Sequence, residues 1–515
     1  MSENDSEHRW QCARFDEALL SNALGDAYQI EAVSKKSSKL EVYDSFEQCF
    51  IKNGLALIRT ASHFHIADAD DLISNPIHSD TRIRHQQPVS HWDFEAGAFQ
   101  RVLRSHLKLR AAVKLATVTV NDQEYCIRNR DGKTILRLWQ QSVDTEGQIA
   151  MLTLKAAPLL GYAKEADQIA SLISKKPEFS CDHISLASHV LSLVGKAEAP
   201  LSPKGTIRIQ SNDTVTDSVT KIAKLMVVVA RQSEQGIIED IDTEFLHDYR
   251  VGIRKLRSVI ALVKGAYSKE DTKRLKDTFG DYARTTNRLR DLDVYLLNEA
   301  EYRAQLPNEL QPGLDRMFGD FRAERRRVQN KVRRDIQSTE YMKSMAQQFK
   351  WLGRSKRPKG ARSDMLIATV VVKEIRKHHK LVRTLGIAIT DATPDTEVHE
   401  LRIECKKLRY LLELFASLFP AQEMRRILRR LRGLQNVLGD FNDYSVQRET
   451  MLEYLDKSQD LDKYSAAAVG GLISILHDKQ LDARDHVTEK FKEFSDGKMR
   501  QRFNTLFEGM ENLSK

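Results

Sequence analysis

The sequence predicts two domains of different class: an antiparallel α+β domain over residues 1–198 and an all-α domain over residues 215–515, joined by a linker at 199–214. Three observations carry this reading. The hydrophobic period changes from about 2 residues to about 3.6 near residue 215. The segment Ala199-Pro-Leu-Ser-Pro-Lys-Gly205 lies at the change and is rich in residues that interrupt regular structure. Charge divides at the same place. Residues 1–200 hold 23 Lys+Arg and 26 Asp+Glu, or −3; of the chain's 81 basic and 72 acidic side chains, 58 and 46 therefore fall in residues 201–515, or +12.

Composition excludes several classes. With 41% hydrophobic and 30% charged residues in 515, the chain has enough apolar material for real cores and is not globally disordered. The longest apolar run, Ala466–Leu476, falls well short of the ~20 residues of a membrane span. The first thirty residues are acidic and polar, without a basic-then-apolar leader. The five cysteines (Cys12, Cys49, Cys126, Cys181, Cys405) are scattered and form no CxxC, which argues against a disulfide framework or a zinc ribbon. A reducing, cytoplasmic compartment is expected.

In the first domain, Leu55–Arg59, Ala116–Val120, Glu124–Arg128 and Thr134–Trp139 are β-branched and aromatic and read as strands. Asn129-Arg-Asp-Gly132 reads as the hairpin turn between the last two. Helical patterns appear at Phe94–Leu109 and Glu165–Ile173. In the second domain the helical period covers Asp217–Gln232, Phe245–Lys264, Leu275–Asn298, Leu314–Gln337, Met365–Leu385, Glu397–Leu418, Met424–Leu438 and Ala466–Phe494.

Two of these helices align without a gap. His247-Asp-Tyr-Arg250-Val-Gly-Ile-Arg254-Lys255-Leu-Arg257 matches His399-Glu-Leu-Arg402-Ile-Glu-Cys-Lys406-Lys407-Leu-Arg409 at an offset of 399 − 247 = 152, and Asp291 meets Asp443 at the same offset. The register implies two homologous halves, 215–355 and 365–510, related by an approximate two-fold axis. At about 100° per residue, His247, Arg250, Arg254 and Arg257 fall at roughly 0°, 300°, 340° and 280°, while Ile253, Leu256, Val259, Ile260 and Val263 gather on the opposite side. Each copy thus packs through one stripe and presents a cationic ridge. Like charges at i,i+3 and i,i+4 repel by a few tenths of a kcal/mol. Repeating the ridge with little acidic compensation therefore points to a multiply charged anion. Arginine suits phosphate because its planar fork bonds two oxygens at once, and histidine gains charge beside an anion. Further basic helix at Arg322–Arg334, with Arg326 and Arg333, and at Arg425–Arg432, with Arg430, reads as supplementary wall.

These residues resemble the CHAD family, the conserved-histidine α-helical domain, over about residues 215–510. Arg290-Asp291-Leu-Asp293-Val294 and Leu438-Gly439-Asp-Phe-Asn442-Asp443 match two further family elements, with Asn287 a departure where the offset gives Gly439. The resemblance implies two four-helix bundles around a basic cavity that binds inorganic polyphosphate. It implies ligand contacts from His247, Arg250, Arg254, Lys255, Arg257, His399, Arg402, Lys406, Lys407 and Arg409. Arg290, Asp291, Asp293, Asn442 and Asp443 would support these cations. Association with polyphosphate granules in the cytoplasm follows as an expectation.

The N-terminal domain resembles the CYTH, triphosphate-tunnel family, which implies a barrel-like sheet. That family holds a catalytic divalent metal on Glu-x-Glu-x-Lys, since hard cations prefer carboxylate oxygens. Here the matching segment is Trp10-Gln-Cys12-Ala-Arg14, and Leu152-Thr-Leu-Lys155 also lacks acids. A degenerate, non-catalytic tunnel is expected, with Arg59, Arg128, Arg130, Arg137 and Lys155 as residual phosphate contacts. His63, His65, His78, His85, His91 and His106 lack a companion acid or cysteine cluster, so no metal or cofactor is expected.

The leading expectation is a non-enzymatic polyphosphate binder. The alternatives are a metal-dependent triphosphatase acting through the N-terminal domain and a nucleic-acid binder. The latter is disfavoured because few aromatics accompany the ridges, whereas single-strand binders stack bases on such rings.

Overall fold

The computed structural model describes residues 8–12, 17–61, 63–72, 77–80, 88–145, 148–179, 185–196, 198–203, 205, 207–355, 358–390, 392–458 and 460–511. His85, Arg14 and Cys181 lie outside them. The chain divides into two compact units, Met1–Pro200 and Leu201–Lys515.

The first unit contains strands β1 (His8–Cys12), β2 (Gln29–Asp44), β3 (Leu55–Arg59), β4 (Phe64–Asp68), β5 (His78–Asp80), β6 (Val113–Arg128), β7 (Thr134–Thr145) and β8 (Gln148–Pro158). Its helices are α1 (Glu17–Leu24), α2 (Ala98–Leu107), α3 (Ala163–Ser174) and α4 (Leu186–Leu193). The strands form one antiparallel sheet in the order β1-β8-β7-β6-β2-β3-β4-β5. The α+β class read from the sequence is therefore correct.

The predicted β6–β7 turn forms as its residues dictate. Asn129 Oδ1 accepts from the backbone N–H groups of Asp131 and Lys133, both at 3.1 Å, and Gly132 takes φ +72°. Two expected strands, Ala116–Val120 and Glu124–Arg128, merge into the single β6. The polar Asn121-Asp122-Gln123 stays extended because β2 pairs it on one side and β7 on the other. Strand β2 itself was not read from the sequence. Its first eleven residues are mostly polar and exposed, and they hold strand geometry through pairing with β6 rather than through any pattern of their own.

Helices supply the cover. Leu20, Leu24, Ile169 and Ile173 of α1 and α3 pack on Trp10, Ile127, Leu136, Leu138 and Leu154. Val190 of α4 joins Val42, Val118, Val120 and Val143, and Phe99, Leu103 and Leu107 of α2 pack with Tyr43, Leu57, Phe64 and Ile66.

The second unit is helical: α5 (Val215–Glu239), α6 (Thr243–Leu262), α7 (Lys269–Thr285), α8 (Asn287–Leu297), α9 (Glu299–Ala304), α10 (Asp315–Gln337), α11 (Thr339–Leu352), α12 (Ile367–Ala388), α13 (Asp395–Leu414), α14 (Ala421–Lys457), α15 (Lys463–Ser495) and α16 (Gly497–Glu511). Among the described residues no helix is long and apolar enough to cross a membrane. Helices α5, α6 and α7 begin at 215, 243 and 269, and α12, α13 and α14 at 367, 395 and 421; each pair of starts differs by 152. Helices α6 and α13 are both 20 residues long.

Three expectations change in this unit. Leu275–Asn298, read as one helix, is α7 and α8. At the break, Thr286 Oγ1 donates back to the Ala283 carbonyl at 2.9 Å, and Arg250 Nη1 donates to the same carbonyl at 2.9 Å. That acceptor is thereby taken up at the C-terminal end of α7. Met424–Leu438 extends into the 37-residue α14, because Gly439 lies on an open helix face and does not interrupt it. The segment 199–214, read as a linker, is fastened to the helical unit over its described residues from 201 onward. Leu201 N–H donates to Gln232, Lys255 Nζ donates to the Pro203 carbonyl at 2.7 Å, and Ile209 exchanges bonds with Ser417 at 2.9 and 3.2 Å. Buried Ile207 and Ile209 anchor it.

Candidate functional site

Helix α6 is started by Asp242, whose carboxylate accepts from the N–H groups of Glu244 and Phe245 at 2.9 and 3.2 Å. Its apolar stripe (Ile253, Leu256, Val259, Ile260) is almost wholly buried. Gly252 lets α5 approach: a Cβ there would stand 3.0 Å from the Met226 carbonyl oxygen. On α13, Leu401, Cys405, Leu408, Leu411 and Leu412 are buried in the same way. These stripes fix the two helices, and α6 and α13 pack against each other. What remains turned outward is the basic side of each.

The two basic sides meet. A cavity of about 530 Å³ is lined by Gly205, by His247, Val251, Arg254 and Lys255 from α6, and by Arg409, Tyr410 and Glu413 from α13. Ala416, with Leu428 and Arg432 of α14, completes the wall. Four permanent cations and a histidine thus face one carboxylate. Glu413 is engaged by Arg432 at 3.1 Å and lies 4.0 Å from Arg409 Nε. Arg254 is exposed and, among the described residues, makes no ion pair.

Lys406, at the 152-residue offset from Arg254, shows how crowded the charge is. Burial and then the guanidinium groups of Arg402 and Arg254 hold its ammonium down to about 8, with Asp443 opposing and Arg409 adding to the depression. The influence of Arg254 on Lys406 runs from one helix to the other. Several guanidinium N–H groups are buried without an acceptor: Arg257 Nε, Arg290 Nη1, Arg402 Nε and Arg409 Nε. A buried donor left unpaired costs about 1–3 kcal/mol. Of these four arginines, Arg409 lines the cavity.

Residues 221–452 match the model of the CHAD domain family. The helical unit carries a CHAD domain. The crystal structure of the CHAD domain from the plant Ricinus communis is similar at 20% identity and a TM-score of 0.48, covering 57% of this chain and 96% of that one. PptA from Streptomyces chartreusis is similar at 12% identity and a TM-score of 0.43, covering 54% and 100%. No curated protein matches the chain.

Within the CHAD domain the sequence-predicted residues divide. His247, Arg254, Lys255 and Arg409 line the cavity. Arg250 is turned to the α7–α8 junction, where it also donates to Thr286 at 2.8 Å, and Arg257 lies against Gly280 on α7. His399 Nδ1 lies 3.0 Å from Asn442 Oδ1, and Arg402 pairs with Asp443 at 3.3 Å. Asp291, whose carboxyl burial raises above its usual range, lies within the fields of Arg250, Arg288 and Arg290. Lys407 donates to Glu404 at 2.6 Å, and Glu404 also bonds buried His378.

Other supporting residues hold the scaffold. Asp293, read as a partner of the ridge, instead accepts from Arg325 Nε at 2.7 Å, because Arg325 reaches back to bond both Asp240 and Asp293. Arg333 donates to the Ile238 carbonyl, Arg430 pairs with Glu493, and Arg326 is exposed. Sequence reasoning did not place Gly205, Tyr410 or Glu413 at the site, and it had Arg432 only as part of a basic run. For Glu413 the signal was present: it follows Arg409 by four residues and so extends the same face of α13.

In the first unit four of the five expected phosphate contacts have carboxylate partners. Arg59 lies 3.4 Å from Glu41, Arg128 2.5 Å from Glu31, Arg137 2.9 Å from Glu124 and Lys155 3.5 Å from buried Asp71. Arg130 is exposed in the β6–β7 turn.

Proposed function

We propose that the CHAD domain binds inorganic polyphosphate without chemical turnover. The ligand is held by two cationic ridges that belong to the repeated halves of the domain. One observation carries the reading: Arg254 and Lys255 of α6 and Arg409 of α13 share a cavity with a single carboxylate. A linear polyanion satisfies such a site because each phosphate offers unesterified oxygens to a guanidinium fork. Of the family-derived contacts, His247, Arg254, Lys255 and Arg409 form the primary cradle in this reading. Lys406, Arg402 and His399 extend it along α13, and Arg250 and Arg257 hold the α6 ridge in place. Binding to a cytoplasmic polyphosphate store is the role this chemistry suits.

The test is titration of the full chain with polyphosphate, with RNA as competitor at equal phosphate concentration. Preferential retention of polyphosphate is expected, since Tyr410 is the single aromatic among the lining residues and single-strand binders stack successive bases on several such rings. Equal displacement by RNA would favour the nucleic-acid reading. Phosphate release from triphosphate with Mg²⁺ or Mn²⁺ would favour the triphosphatase.

A further inference from the structure

We propose that the anion path does not end in the α6–α13 cavity but continues over the arginine face of α14 into a second pocket beside α16, so that the ligand is an extended chain of phosphates rather than a short oligophosphate. This deepens, and rests on, the polyphosphate reading. The second cavity, about 180 Å³, is lined by Arg426, Arg429 and Arg430 of α14, by Lys498 and Arg502 of α16, and by Asp496 among others.

Helix α14 joins the two cavities. Arg432 lines the first and Arg429 the second. Three residues separate them, or about 4.5 Å of axial rise. Counted from Arg425 at 0°, Arg432 and Arg429 stand at about 340° and 40°, so the three form one stripe between the cavities. Arg425 and Arg429 are exposed. From Met424 to Gly439 the helix has five arginines and no acidic residue, against the mutual repulsion such spacing entails. The acids at the rim are already engaged. Glu423 bonds Arg426 and Arg502, Glu493 bonds Arg430 and Lys490, and Asp496 accepts from the Met499 N–H at the start of α16. Arg429 and Lys498 make no ion pair among the described residues, which leaves two cations for an incoming anion.

In this proposal a tripolyphosphate fills the first cavity alone. A long chain engages both, and the second contact is made at the high effective concentration set by the first. The experiment compares tripolyphosphate with a long-chain preparation on the parent protein, on R429Q/K498Q and on R254Q/R409Q, with thermal unfolding as the check on folding. For R429Q/K498Q we expect unchanged tripolyphosphate affinity and about tenfold weaker long-chain binding, with the salt dependence shallower by about one to two counterions. For R254Q/R409Q both ligands should weaken. Unchanged long-chain affinity and salt dependence in R429Q/K498Q would overturn the proposal, as would an equal loss for both ligands. A parent protein that binds neither ligand overturns the polyphosphate reading itself, an outcome distinct from either.

Discussion

The two units use basic residues in opposite ways. In the sheet unit Arg59, Arg128, Arg137 and Lys155 each face a carboxylate, and Asp71, which holds Lys155, is buried and bonded by Gln141. In the helical unit Arg254 has no ion pair among the described residues, and Lys406 is depressed by burial and by cations from two helices. Paired charges of the first kind are internally satisfied and contribute modestly to stability. Accumulated charges of the second kind oppose folding, and an external anion would relieve them. The sign of the local electrostatic energy thus separates a scaffold from a binding site more clearly than the number of basic residues does.

Breaking the comparison at its strongest point gives the largest effect. Removing one cation from each ridge, R254Q with R409Q, should weaken polyphosphate binding about 100-fold, since several phosphate contacts are lost together. Titration of this variant beside R137Q/K155Q checks it, and the sheet-unit variant should bind like the parent. The reverse experiment is D71N. It removes the buried charge and one of the two carboxylate oxygens that serve Lys155 and Gln141, and should cost the sheet unit about 1–3 kcal/mol in denaturant unfolding while leaving polyphosphate affinity unchanged.

Lys406 sharpens the comparison through pH. Its ammonium titrates near 8 in the free protein, against an ordinary 10.5. Below about 8 it is charged in both folded and unfolded chains, and its charge opposes folding there. That opposition is relieved as pH rises from about 8 to 10.5. A bound polyanion favours the charged form and shifts the titration upward. Lys406 should therefore make affinity fall by up to about tenfold between pH 8 and 10. Binding measured across this range in the parent and in K406Q should show the fall only in the parent.

The smallest effect is expected from E413Q, which removes the cavity's one carboxylate. If summed charge governs binding, polyphosphate should bind about threefold tighter. Looser binding would mean that Glu413 acts mainly by positioning Arg432.

What was legible in the sequence is what is local. The ridges on α6 and α13 and the Asn129–Gly132 turn depend on residues within a few positions of one another, so periodicity exposes them; the 152-residue register shows because each local pattern occurs twice. Strand β2 was not legible because its pairing with β6 spans some ninety residues and its own side chains are polar. The docking of 201–214 was hidden for a similar reason. Its Pro, Ser and Gly content reads as a tether, yet its carbonyls are met by Lys255 and Ser417 from distant helices. Asp293 went to Arg325 rather than to the ridge because helix α10 brings that guanidinium alongside, which no spacing rule within α8 could reveal.

The most direct test of the central claim is a crystal structure of the full chain soaked with a short polyphosphate. Continuous phosphate density bridging Arg254 of α6 and Arg409 of α13 is the predicted result. Density confined to the sheet unit, or a chain bound only to one ridge on an outer face, would contradict the account.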